Sequence, residues 1–265
     1  MKTSKPLSLL TALFTALAVL SGSIAAPLLC RPFYYAHIGP MGLAEYVGLT
    51  PEQIRQAFDQ VMDFCLGLRP DFAAGVLPWS QSGADHFADV RRLFLLNLRV
   101  LALSLAGLLL LLVCSRLKHV RPYCFRGRGP GFWAAAGLAI VFLAVGGLAA
   151  LNFDRAFVIF HALFFPGKTN WLFDWRTDPV ILILPETFFR NCALLILALV
   201  MLWCAVLIFA DLWESGVTRD CKHSQLRYLG MLAGHDHGYN SVFMEDEKAN
   251  RAREFARSLV LNTEK

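Results

Sequence analysis

The sequence predicts an all-α polytopic membrane protein: four transmembrane helices, interfacial helices on the outer face and a cytoplasmic tail. Three observations carry this. The 265 residues are 56% hydrophobic and only 17% charged, below the roughly 25% charge of a soluble domain. The apolar residues gather into four runs, 7–26, 93–114, 132–151 and 192–212, each long enough to cross about 30 Å of hydrocarbon. The loop 115–131 holds Arg116, Lys118, Arg121, Arg126 and Arg128 with no acid, which marks it as cytoplasmic.

The first run follows Lys2 and Lys5, as a signal peptide would. Small residues for cleavage stand at Ser23-Ile24-Ala25 and Ile24-Ala25-Ala26, but a cut after Ala26 would leave Pro27 in the next position. Retention as a first span is the better reading. Both termini then lie inside, and 27–92 and 152–191 face out. Arg91 and Arg92 flank the second span on its outer side, against the rule, yet 27–92 also carries seven acids. The net charge of +5 therefore reflects topology and anionic lipid, with no nucleic-acid partner implied. The expected division is a membrane domain, 1–212, and a polar tail, 213–265.

Within the first outer segment, Thr50, Pro51 and Gln53 form the start of a capped helix. Ile54, Phe58, Val61, Met62 and Cys65 follow on one stripe, so this helix lies on the bundle or in the lipid interface. A second capping pattern, Ser82-Gly83-Ala84-Asp85, opens a helix that runs unbroken into span two. His86, Asp89, Val90 and Leu93 share a face of it, which lets Asp89 orient the His86 imidazole or stabilise its protonated form. Asn97 and Arg99 lie one to two turns below the outer surface, where a charge faces a polar cavity or snorkels to the headgroups. Gly137, Gly146 and Gly147 suit close packing of span three.

The aromatic segment 152–166 has the composition of an interfacial belt, ends at Pro166-Gly167 and places Asp154 and His161 on one helix face. The run 180–184, set between Pro179 and Pro185, is too short to span and reads as a re-entrant or surface piece. Seven cysteines show no metal-ligand spacing, and only Cys30 and Cys65 sit outside and could pair. His235-Asp236-His237 in the tail reads as solvated loop rather than a metal site. The expectation is no metal and no cofactor.

Two histidines at the outer lipid interface suit acyl chemistry on a lipid-linked substrate, because imidazole exchanges protons near neutral pH. The string from Phe160-His161-Ala162-Leu163-Phe164-Phe165-Pro166-Gly167-Lys168-Thr169-Asn170-Trp171 through Phe173-Asp174, Asp178-Pro179 and Leu184-Pro185-Glu186-Thr187-Phe188-Phe189 resembles the signature of the DUF1461 integral membrane family. So does Gly75-Val76-Leu77 followed by residues 82–94. The resemblance covers roughly 1–212; the tail departs from it.

It implies a four-span fold with an outer-leaflet site. In the family's characterised members an acyl chain moves from the sn-2 position of a diacylglyceryl-cysteine to the α-amino group of the same residue. The family's two histidines carry over as His86 and His161. On this reading His86 is the base, oriented by Asp89, and His161 protonates the glyceryl oxygen, though the roles could be exchanged. Substrate or oxyanion contacts fall to Arg99, Asn97, Asn170 or Asp174. The partners implied are diacylglyceryl-modified lipoproteins and membrane lipids, at a bacterial plasma membrane. Two alternatives stand beside it: a metal-dependent hydrolase with His86, His161 and Asp89 or Asp174 as ligands, and a structural or partner-binding membrane protein of the same family.

Overall fold

The computed structural model describes residues 2–233, with side chains from 3 to 214; His235-Asp236-His237 lies outside the described residues. The chain divides into two units, Met1–Asp211 and Leu212–Lys265. The first is built from β1 (Lys2–Ser4), α1 (Lys5–Leu29), α2 (Arg31–Ile38), α3 (Leu43–Val47), α4 (Pro51–Cys65), α5 (Gln81–Leu117), β2 (Val120–Pro122), α6 (Pro130–Leu151), α7 (Phe153–Phe164) and α8 (Val180–Ile183). The last helix, α9 (Glu186–Ala233), crosses the boundary, and the described part of the second unit is its helical continuation.

Four helices are long and apolar enough to cross a membrane: α1, α5, α6 and α9 over Glu186–Glu214. They match the four sequence runs. Small residues bring the spans together. A Cβ on Gly107 of α5 would stand 2.7 Å from the Phe14 ring of α1, and one on Gly146 of α6 would stand 2.9 Å from Leu197 of α9. Ala135, Val200 and Cys204 form the small buried contact between α6 and α9.

The two ends of the bundle differ. At one, β1 and β2 pair in parallel, with Thr3 opposite Arg121, a pairing the sequence pattern does not foreshadow. Tyr123 donates its backbone N–H to the Ser4 carbonyl at 3.2 Å. At the same end Asp211 of α9 accepts from the Gly129 N–H at 2.8 Å and pairs with Arg128 at 3.3 Å. The N-terminus and the basic loop therefore share one end, as their charges require.

At the other end α2, α3, α4, α8 and the starts of α5 and α9 enclose the main core. The Thr50–Gln53 capping box opens α4, and Ile54, Phe58, Val61, Met62 and Cys65 are buried, so α4 lies on the bundle. The run 180–184 is no surface piece: Val180 and Ile183 are buried, and the Tyr34 hydroxyl donates to the Ile183 carbonyl at 2.7 Å. Prolines confine it to one turn, and the aromatic cap covers that turn. Cys30 and Cys65 are both free thiols, the first exposed and the second buried.

The α5 helix begins two residues earlier than the Ser82 pattern suggests. Ser80 is its N-cap, accepting from the Gly83 N–H at 3.0 Å. Its 37 residues extend over about 55 Å at 1.5 Å per residue, well beyond the hydrocarbon thickness. The first three turns, which are polar, project past the apolar run. They carry His86 and Asp89.

Candidate active site at the capped end

Two elements far apart in sequence bring the histidines together. His86 projects from the first turns of α5 and His161 from the last turn of α7, and their ring centroids lie 5.9 Å apart with planes tilted by 30°. Both are buried, at 6% and 7% exposure. Aromatic rings wall them in. Trp171 stacks on His161 at 4.5 Å, and Phe165 stands 5.0 Å from His86 and 5.7 Å from His161. Phe173 closes the other side of His86 at 5.4 Å.

The two rings are held differently. His161 Nδ1 lies 2.8 Å from the Phe157 carbonyl. A carbonyl only accepts, so Nδ1 carries the hydrogen and the neutral ring keeps its lone pair on Nε2. His86 Nδ1 is buried without a hydrogen-bond partner among the described residues. Burial pushes the His86 imidazole down to about 4; the neighbouring His161 and Lys168 add to this and Asp89 opposes it. Burial also lowers His161, but the Phe157 carbonyl works against that by supporting the imidazolium. At neutral pH both rings are therefore uncharged, and His86 is the harder to protonate.

Asp89 shares the His86 side of α5, yet its oxygens are taken by other groups. Lys168 pairs with Oδ2, Arg92 lies 3.2 Å from Oδ1, and the Asn170 amide also bonds the carboxylate. Burial pushes Asp89 up, while the Lys168 and Asn170 hydrogen bonds and the cationic neighbours hold it below the usual carboxylate range. Its influence on His86 is thus through charge and not through the hydrogen bond expected from helical spacing. Asp154, seven residues before His161, instead faces Glu186, whose carboxyl is pushed up by burial and by the neighbouring Asp154.

The remaining sequence candidates separate. Asn170 is in the site, with its amide on Asp89 and Oδ1 buried without a partner among the described residues. Asn97 donates to the Ser21 carbonyl at 3.1 Å and ties α5 to α1. Arg99 is exposed on α5. Asp174 is exposed and accepts from the Arg176 N–H at 3.0 Å, shaping its own turn. No group of three His, Cys, Asp or Glu side chains stands ready for a metal ion among the described residues.

Sequence reasoning missed two members. Lys168 was legible only as a lone cation inside the string Pro166-Gly167-Lys168-Thr169-Asn170. Asp178 gave no signal of its own: it is 4% exposed and accepts from the Ser80 N–H and Ser80 hydroxyl, both at 2.7 Å, and from the Thr177 hydroxyl at 2.8 Å. That cluster fastens the 165–178 loop to the start of α5.

Comparison with known proteins points one way. The family model described as lipoprotein intramolecular transacylase Lit matches residues 9–189. The in meso structure of Lit from Bacillus cereus is 21% identical, covers 82% of this chain and 96% of its own, and superposes with a TM-score of 0.71. A form of that protein with one histidine mutated to arginine is 20% identical, covers 81% and 93%, and gives a TM-score of 0.67. At these identities the structures establish a shared fold. None of the curated proteins matches.

Proposed function

We propose that this chain, which belongs to the Lit family of lipoprotein intramolecular transacylases, moves the sn-2 acyl chain of a diacylglyceryl-cysteine to that cysteine's α-amino group. The product is an N-acyl, S-monoacylglyceryl lipoprotein. The observation that carries the reading is the pair of buried imidazoles with ring centroids 5.9 Å apart, at the bundle end away from the basic loop. By the charge pattern that end faces outward from a bacterial plasma membrane, where lipoprotein N-termini sit, and the tail after 212 is cytoplasmic.

Amine and ester belong to one molecule, so the reaction needs no enzyme nucleophile. Positioning supplies effective molarities of about 10⁵–10⁸ M. The amine nitrogen forms a bond to the sn-2 carbonyl carbon, and the bond from that carbon to the glyceryl oxygen breaks. One proton leaves nitrogen and one arrives on the glyceryl oxygen. A free α-amine has a pKa of about 7.7–8.0, but the nitrogen becomes far more acidic once it has added to the carbonyl. A weak base then suffices, provided it is unprotonated. His86, held neutral by burial, fills that role. The proton His86 takes from nitrogen passes to His161 Nε2, forming an imidazolium that the Phe157 carbonyl at Nδ1 supports. His161 then gives that proton to the departing oxygen, and both rings return to their neutral starting state. The aromatic walls exclude water, which would otherwise take the acyl group.

The test is a pair of substitutions at matched membrane levels. His86→Ala and His161→Ala each lower lipopeptide conversion by at least about 10²-fold, the low end for loss of a general acid or base. The double variant falls by less than the product of the two, since groups that act as a unit do not add. Near-normal conversion in both single variants would overturn the two-histidine mechanism.

A further inference from the structure

Proton transfer accounts for the amine and the leaving oxygen but leaves the ester carbonyl oxygen, which takes up negative charge as the amine adds. Oxyanion donors are among the largest contributors to acyl transfer, and several candidates are committed elsewhere. Asn97 holds Ser21, Arg99 is exposed along the span, and Asp174 has no donor to offer. Asn170 bonds the same Asp89 carboxylate that Lys168 does, but as a neutral amide it offers an oxyanion a weaker hydrogen bond than a cation does.

Lys168 is placed otherwise. Its backbone is fixed on both sides, donating to the Phe165 carbonyl at 3.1 Å and accepting from the Trp171 indole N–H at 3.1 Å. Gly167 precedes it at a φ of 72°, left-handed backbone that glycine adopts without strain. The residues on either side of this turn, Phe165 and Trp171, both contact the histidine rings. The turn therefore holds the Lys168 ammonium on Asp89, near enough to His86 for its charge to oppose protonation of that ring.

Its charge is available there. Asp89 Oδ2 engages one of three N–H donors, and the side chain remains 44% exposed. Asp89 also holds Arg92, so the cluster of one carboxylate and two cations carries a net charge of +1, beside two imidazoles that are uncharged at neutral pH. An ammonium anchored by a buried carboxylate is oriented before substrate arrives and needs no rearrangement when charge develops.

We infer that Lys168 is a catalytic residue whose ammonium, anchored on Asp89, donates to the sn-2 carbonyl oxygen as it becomes an oxyanion. This rests on the transacylase reading. The competing role is structural, with Lys168 doing no more than pinning the loop to Asp89.

Two diacylglyceryl-cysteine lipopeptide analogues separate these roles when titrated into the full-length protein in lipid nanodiscs. One carries an anionic phosphonate at sn-2, mimicking the tetrahedral oxyanion; the other carries a neutral ether. The natural protein prefers the phosphonate by about tenfold or more. Lys168→Met abolishes the preference while still binding the ether, and lowers kcat by about 10²-fold; Lys168→Arg retains most of the preference. The ratio within each variant is insensitive to the fraction folded. Equal weakening of both analogues in Lys168→Met, or an unchanged preference, overturns the inference while the transacylase reading stands. A folded natural protein that binds neither analogue and rearranges no lipopeptide overturns both.

Discussion

Replacing Asp178 with alanine reaches the site without touching its chemistry. The carboxylate is buried and accepts three hydrogen bonds, two from Ser80 and one from Thr177. The Ser80 pair spans 98 positions in sequence and, beside the Lys168–Asp89 pair, fastens the 165–178 loop to the start of α5. Hydrogen bonds to a charged group contribute about 1.5–3 kcal/mol each; desolvation of the buried carboxylate offsets part of the Ser80 pair. Asp178→Ala should therefore cost about 3 kcal/mol, since the half-buried Ser80 N–H is left without its acceptor. Thr177→Val, which removes only the adjacent bond, should cost about 1 kcal/mol. Because the loop carries Lys168 and Trp171, lipopeptide conversion should fall at least about tenfold in Asp178→Ala at equal protein level. Denaturant unfolding of purified protein gives the first quantity, and conversion in membranes gives the second. An Asp178→Ala protein within about 0.5 kcal/mol of the natural one and fully active would show that the loop is held by something other than this cluster.

Gly83→Ala should mimic that loss, because its Cβ would sit 2.2 Å from Asp178 Oδ1; normal stability would count against the close approach. Stability should also fall with acid. The unfolded His86 imidazole takes a proton near 6.5 and the folded one at about 4, so the unfolded chain binds more protons between those values. The contribution, about 3 kcal/mol, is complete above pH 6.5 and is lost as pH falls to about 4. Melting curves across that window should flatten in His86→Phe, and an unchanged slope would refute the burial argument. For topology, exposed native thiols serve as reporters: Cys30 lies just beyond α1 and Cys124 just beyond β2. In single-cysteine variants an impermeant maleimide should label Cys30 in intact cells and Cys124 only after permeabilisation; the reverse pattern would invert the orientation.

The parts that were legible in sequence are those set by local pattern. Four apolar runs became four long helices, and the Thr50 box and the α4 stripe formed as spaced. The neighbourhood of the two histidines followed from resemblance to a family motif and from charge, not from periodicity. What escaped was long-range. The local pattern points to Ser82, whereas the cap is Ser80, which Asp178 holds from 98 residues away. Helical spacing placed Asp89 with His86, but Lys168, 79 residues on, claims the carboxylate. The run 180–184 looked peripheral because burial of one turn depends on the cap that folds over it. The β1–β2 pairing uses backbone groups, which leave no side-chain pattern.

The transfer itself is open to one direct measurement. The chain is expressed in a bacterial host whose lipoproteins are diacylated and retain a free α-amine, and the N-terminal lipopeptide of an abundant lipoprotein is analysed by fragmentation mass spectrometry. Intramolecular transfer leaves the intact mass unchanged. The fragments should show a cysteine acylated on nitrogen and bearing a monoacylglyceryl thioether, and this pattern should vanish with His86→Ala. A lipopeptide lighter by one acyl chain would indicate hydrolysis, and one that stays diacylated with a free amine in the presence of well-inserted protein would contradict the transacylase function.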